Sequence, residues 1–140
     1  MLKKIPRLLS PELVKALMEM GHGDEIVLAD ANYPAHSHHS RVIRMDAIGI
    51  PDLLSAILEL LPLDHYADHQ LCLMEVVAGD TTVPSVWRQY EDIVAEHDDD
   101  AIFTKQERFN FYSRSQTAYA IVVTGETALY GNIILKKGVL

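Results

Sequence analysis

Apolar residues recur along this chain in two rhythms, helical and strand-like, and the changes between them mark out its elements. Ser10, Pro11 and Glu12 supply an N-cap, a first-turn proline and an early carboxylate, all favourable at a helix start. Leu13, Leu17 and Met20 follow at helical spacing, and Gly21 is a natural terminator. EIVLAD (25–30) is a short β-branched apolar run that predicts a buried strand. NYPAHSHHS (32–40) is expected as loop, and RVIRMDA (41–47) alternates like a half-buried strand. IPDLLSAILELL (50–61) opens near a proline and carries leucines on a helical stripe. QLCLMEVVAG (70–79) predicts a buried strand closed by Gly79-Asp80. VPSVWRQYEDIVAEH (83–97) predicts an amphipathic helix with Trp87, Tyr90 and Ile93 or Val94 on one side. AIFT (101–104) is expected as a short strand and KQERFNFYSRSQTA (105–118) as a helix or tight helical loop. YAIVVTGE (119–126) and GNIILKKG (131–138) complete the set as strands.

Strands alternating with helices predict an α/β fold, a largely parallel sheet covered by helices. With no Pro/Gly/Ser-rich linker and no internal repeat, residues 1–140 are expected to form a single domain, and the length suits one.

Charge narrows the partners. Twelve Lys/Arg against twenty Asp/Glu leave a net charge of −8, which argues against a nucleic-acid partner, whose affinity rests on neutralised phosphates. No apolar run nears the ~20 residues that span a bilayer, so no membrane partner is expected. The basic start MLKKIPRLLSPEL has no long apolar stretch or small-residue cleavage site and reads as mature sequence. The single cysteine, Cys72, has no internal disulfide partner; a reducing, cytoplasmic setting follows. A neutral small molecule is the partner left by elimination.

In open α/β sheets ligands collect beyond the carboxyl ends of strands. Three predicted strand ends carry polar groups: Asp30, Glu75 and the turn TGETALYGN (124–132), which brings Tyr130, Gly131 and Asn132 together. That turn either approaches a ligand through the bare backbone of Gly131 or is a Gly/Asn turn beside a packed tyrosine. Asp30 is either a hydroxyl acceptor or a turn initiator. His22, between two glycines, is either a proton-transfer group or a half-exposed residue at a helix C-terminus. His36, His38 and His39 invite a metal reading, but no paired-ligand zinc motif surrounds them, and a solvated His-rich loop is the better account. Arg108, Arg114 and Lys136 are candidates to hold oxyanions or hydroxyls, or are surface charges. Phosphate-loop, dinucleotide and nucleophile-elbow patterns are absent.

EMGHGDEIVLADANYPAHS (19–37), VIRMDAIGIPDLL (42–54) and YAIVVTGETALYGNIILKKGV (119–139) together closely resemble the L-fucose mutarotase branch of the sugar mutarotase/pyranase family related to ribose-transport protein D. The likeness spans essentially the whole chain, and Gly-His-Gly-Asp and Tyr-Gly-Asn are its most specific parts. It implies an isomerase that interconverts the α and β anomers of L-fucose with no cofactor and no metal. The sister branch, D-ribose pyranase, and a non-catalytic sugar-binding or regulatory subunit are the alternatives. By the same resemblance His22 is the catalytic acid/base, with Tyr130 a second proton-transfer group. Asp30, Arg108, Tyr130, Gly131 and Asn132 bind the sugar. It further implies a homo-oligomer, most commonly a decamer, with its site near a subunit boundary. HSHHSR (36–41) and the segment 87–107 depart from the family pattern.

One difficulty is geometric. At ~3.3 Å per strand residue, His22 and Asp30 stand near opposite ends of the strand between them. Either the strand is shorter than predicted, or the loop after Asp30 folds back, or one site draws on two chains.

Overall fold

The computed structural model describes residues 1–140. Helix α1 (Pro11–Glu19) starts where its cap signal lies: Ser10 is extended and its hydroxyl accepts the Leu13 amide at 3.2 Å. The remaining helices are α2 (Ala35–His38), α3 (Ile50–Leu58), α4 (Val86–His97) and α5 (Arg108–Gln116). The strands are β1 (Glu25–Ala29), β2 (Val42–Met45), β3 (Leu71–Met74), β4 (Phe103–Gln106), β5 (Ala120–Thr124) and β6 (Ile133–Lys136).

The strands join in one six-stranded sheet of order β2-β5-β1-β6-β3-β4. β6 runs antiparallel to both its neighbours, β1 and β3, while every other pair is parallel. Five strands therefore point one way, and the largely parallel α/β sheet expected from the alternating pattern is what forms. All five carboxyl ends, with the start of β6, share one edge of the sheet.

Period-two alternation sends Ile26 and Leu28 of β1 to one face and Val27 and Ala29 to the other. The first face packs against α1, α3 and α4 through Leu13, Leu54, Ile57 and Tyr90. The second is covered by α2 and α5 through Ala35 and Phe111. Because both faces are covered, the central strands read as unbroken apolar runs. Each fully buried aliphatic side chain here contributes roughly 1.5–3 kcal/mol. Cys72 lies in the second core as a free thiol, pushed up to about 11 by burial. No helix is long and apolar enough to cross a membrane.

Several boundaries differ from expectation. α1 stops at Glu19, with Met20 extended, so the chain leaves the helix before Gly21. The expected loop 32–40 contains the single helical turn α2. β3 ends at Met74 rather than Gly79, and β4 starts two residues later than expected and runs to Gln106.

Candidate active site

The Gly-His-Gly-Asp motif forms a tight turn between α1 and β1. Asp24 N–H donates to Gly21 O at 3.2 Å, closing the turn, and Gly23 at its third position has φ +83°, a left-handed value that a side chain would strain. The Asp24 carboxylate reaches back to accept the Gly21 amide at 2.7 Å. The turn is tied to the end of β6: Gly23 N–H donates to Lys137 O and Lys137 N–H to Asp24 O, both at 2.8 Å. His22 thus projects from the tip of a rigid turn. The carbonyls ending α1 are satisfied by Lys137, whose ammonium donates to Leu17 O at 3.0 Å and to Met20 O. Lys137, not His22, caps this helix.

His22 Nε2 lies 3.0 Å from Asp64 Oδ1, and its side chain is 45% exposed against 7% for Asp64. A carboxylate only accepts, so Nε2 carries the hydrogen and Nδ1 keeps a lone pair. That is the tautomer a general base needs. Burial works to raise the Asp64 carboxyl, but His22, the Tyr66 amide and the nearby Lys136 outweigh it and hold it below the usual range. The backbone of Asp64 is fixed in turn by Lys136 O, which accepts its amide at 3.1 Å, and by Gln70, which donates to its carbonyl at 2.8 Å. Around His22 lies a hollow of about 560 Å³ with apolar walls from Ile5, Val14, Met18, Leu60 and Leu140.

Asp30 stands at the other edge of the sheet, beyond the end of β1. Its amide donates to Asn132 Oδ1 at 2.8 Å, joining the end of β1 to the start of β6. Asn132 is 4% exposed, and its side chain also hydrogen-bonds the Asp30 carboxyl, so the two residues are held together at the mouth of the cleft. Asp30 Oδ1 accepts the Asn32 amide at 2.9 Å, the hydrogen bond of the turn reading. Burial pushes the Asp30 carboxyl above its ordinary value. Asp30 and Asn132 line a cleft of about 330 Å³ with Arg108, Tyr112, Tyr130 and Asp80, and Tyr33, Met74 and Leu129 supply its apolar wall. The volume is that of a small-molecule site. Arg108, the first residue of α5, donates to Tyr112 Oη at 3.2 Å.

The turn 124–132 is built by its own side chains. Thr124 Oγ1 donates to Ala29 O at 2.9 Å. The Glu126 carboxylate accepts the amides of Thr127, Ala128 and, across the fold, Ile50 at the start of α3. Tyr130 takes φ +57°, and its carbonyl accepts the Trp87 indole N–H at 2.8 Å. Gly131 O accepts the Tyr90 hydroxyl at 2.7 Å, and a Cβ on Gly131 would meet Ala128 O at 3.0 Å. The bare Gly131 thus accommodates a close approach from inside the protein.

Of the residues singled out in the sequence, Asp30, Arg108, Tyr130 and Asn132 meet in one cleft, with Gly131 between the last two. His22 does not join them: five residues of β1, about 16 Å at ~3.3 Å each, separate the two edges. The strand is one residue shorter than expected, too little to bring the two edges together, and the loop after Asp30 turns toward Glu126, whose carbonyl accepts the Ala31 amide at 2.9 Å. Arg114 and Lys136 are paired with Glu25 at 2.7 and 3.3 Å, away from the cleft. His39 is held by Ala118 O at 2.7 Å and the Arg41 amide at 2.8 Å, while His38 packs edge-on to Tyr33 and Tyr112. Sequence reasoning missed Asp64, Tyr33, Met74, Asp80 and Tyr112. Only Tyr112 carried a signal, one helical turn beyond Arg108.

A model of the RbsD / FucU transport protein family matches residues 3–140. The L-fucose mutarotase of Actinobacillus pleuropneumoniae serotype 5b is 52% identical over 140 residues, covering 99% of this chain and 97% of that protein. The fucose mutarotase of Homo sapiens is also 52% identical, covering 99% of this chain and 94% of its own length. Among solved structures, the fucose mutarotase from Streptococcus pneumoniae in complex with L-fucose superposes with a TM-score of 0.95 at 55% identity, 99% of each chain being covered.

Proposed function

The chain belongs to the RbsD / FucU transport protein family, and from that premise we propose that it is an L-fucose mutarotase, an isomerase that interconverts the sugar's α and β anomers. The observation that carries this reading is full-length similarity, above half identity, to a fucose mutarotase bound to L-fucose. The cleft at the Asp30 edge suits it: acceptors and donors that grip hydroxyls stand opposite an apolar wall that fits a deoxy sugar's methyl group.

Anomers exchange through the open chain. The neutral imidazole takes the anomeric hydroxyl proton on its free nitrogen. The imidazolium so formed hands a proton to the ring oxygen as the bond from that oxygen to the anomeric carbon breaks, leaving the free aldehyde. Rotation about the adjacent carbon–carbon bond and the reverse transfers close the other anomer. One histidine suffices, and such proton transfer typically contributes about 10²–10⁴-fold. His22 is that group, and Asp64 sets its tautomer. Asp30, Arg108, Tyr130 and Asn132 hold the hydroxyls, with Gly131 keeping the turn in shape. For Tyr130 to pass a proton as well, its O–H must first leave Asp80, which accepts it at 2.5 Å.

The separation of His22 from the cleft is resolved by a second copy. Each edge carries an exposed apolar side chain: Met18, 80% exposed, lines the hollow at His22, and Leu129, 63% exposed, lines the cleft at Asp30. Edge against opposite edge is a heterologous contact, which forms a ring where its rotation closes, and a decamer built of such contacts is the assembly we propose. In it His22 of one copy completes the cleft of the next. The buried free thiol suits the reducing cytoplasm.

Saturation-transfer NMR on L-fucose and D-ribose tests the function. Catalysed exchange between the L-fucose anomers, with pyranose–furanose exchange of ribose left at the buffer rate, supports the reading. The opposite pattern makes the protein a ribose pyranase, and buffer rates for both sugars make it a binding subunit.

A further inference from the structure

Asp80 lies outside every strand and helix, in the 75–85 segment between β3 and α4. Its placement is built rather than incidental. Its amide donates to Val77 O at 3.1 Å, closing a turn in which Gly79 takes φ +87°. Its Oδ1 accepts both the amide and the hydroxyl of Thr82, at 2.9 and 2.6 Å. With Oδ1 occupied, Oδ2 is aimed at Tyr130, whose hydroxyl donates to it at 2.5 Å. The same phenol oxygen accepts the Val77 amide at 3.4 Å. The backbone of Tyr130 is independently fixed by Trp87 and its left-handed φ.

We propose that Asp80 is a positioning residue that fixes the polarity of Tyr130, committing its hydrogen away from the cleft so that the phenol offers the sugar a lone pair and never a donor. The inference deepens the mutarotase reading and rests on it. Geometry limits the options: a phenol has one hydrogen and two lone pairs, and the carboxylate and the Val77 amide take the hydrogen and one lone pair. The remaining lone pair accepts a hydrogen bond from a sugar hydroxyl. The proton itself stays on the phenol, because Asp80 is held below its ordinary range by Thr82 and Tyr130, while Tyr130 is raised by Asp80. The pair is therefore a fixed acceptor rather than a proton relay.

Asp80→Asn separates polarity from shape. The amide keeps its oxygen on the Thr82 N–H, which cannot rotate away, and so turns its NH₂ toward Tyr130. The phenol must then accept from residue 80 and swing its hydrogen elsewhere. Asp80→Asn and Asp80→Ala should both raise KM for L-fucose by about three- to tenfold, the loss of one directional hydrogen bond. Because the contact binds all ring forms alike, kcat should stay within about twofold. In a Tyr130→Phe background, Asp80→Ala should cost nothing further, since no hydroxyl remains to orient. Wild-type KM in Asp80→Asn, or a full Asp80→Ala cost in the Tyr130→Phe background, overturns the proposal.

A readout free of activity keeps the two claims apart. With tyrosines labelled at the ring carbon bearing the hydroxyl, the Tyr130 resonance should titrate at higher pH in wild type than in either Asp80 variant. An unchanged midpoint overturns the Asp80 pairing. An inactive wild type with a shifted midpoint instead overturns the mutarotase reading and leaves the pairing standing.

Discussion

Glu25 stands mostly out of water at the head of β1, with Arg114 on both carboxylate oxygens at 2.7 and 2.9 Å and Lys136 at 3.3 Å. Burial favours the neutral acid, yet the two cations win and hold the carboxyl below its ordinary value. A carboxyl depressed on folding contributes stability that is fully present above its unfolded pKa and is lost as the pH falls through its folded pKa. Glu25→Gln should therefore cost about 1.5–3 kcal/mol at neutral pH, the worth of hydrogen bonds to a charged group. Urea melts should show that gap narrowing below the ordinary glutamate range; a gap constant down to strongly acidic pH would contradict it. Legibility differed sharply between residues. His22 and Asp30 stood out because their motifs are local, a glycine-flanked turn and a strand end. Asp64 could not be found, because the His22 contact spans 42 residues and depends on the Leu63–Lys137 bridge that ties the two loops together.

Among the elements, α4 has a second task besides covering the sheet. Trp87 and Tyr90, one turn apart, reach over the turn 124–132 and hold the carbonyls of Tyr130 and Gly131. Burial pushes the Tyr90 hydroxyl well above the usual range, so it remains a donor at all working pH values. Tyr90→Phe leaves Gly131 O short of its partner and should lower stability by about 1–2 kcal/mol. It should also raise KM for L-fucose, because Tyr130 and Asn132 flank the loosened carbonyl; unchanged KM in a protein of reduced melting temperature would confine Tyr90 to a stability role. The helical stripe predicted α4 and named both residues, but not what they touch. Where apolar periodicity was strong, at α1, α3, β1 and β5, the elements were legible. β4 was misplaced because it is an edge strand. Its Lys105 and Gln106 pair with Leu73 and Met74 although they carry no β signature, while Ile102, apolar but 56% exposed, lies outside the strand. α2 has four residues, too few to show a period.

For the whole molecule, the decisive fact is that β6 enters the sheet antiparallel between β1 and β3. Its start carries Asn132 to the Asp30 edge, and its end carries Lys137 to the turn that presents His22. Fold class was legible from alternating strands and helices, but strand order was not, since no local pattern encodes which strands pair. The same strand thus organises both half-sites and keeps them a strand's length apart. Joining them in one catalytic site between adjacent copies is the central claim. Mixing two inactive variants tests it most directly: His22→Ala lacks the acid/base but keeps an intact cleft, and Asp30→Arg, whose long side chain fills the cleft, has the reverse defect. After co-refolding in equal amounts, about a quarter of the contacts around a heterologous ring should pair a sound His22 with a sound cleft. The account predicts that L-fucose anomer exchange, absent in each variant alone, returns at about a quarter of the wild-type rate in the mixture; a mixture that forms the same oligomer yet stays at the buffer rate would contradict it.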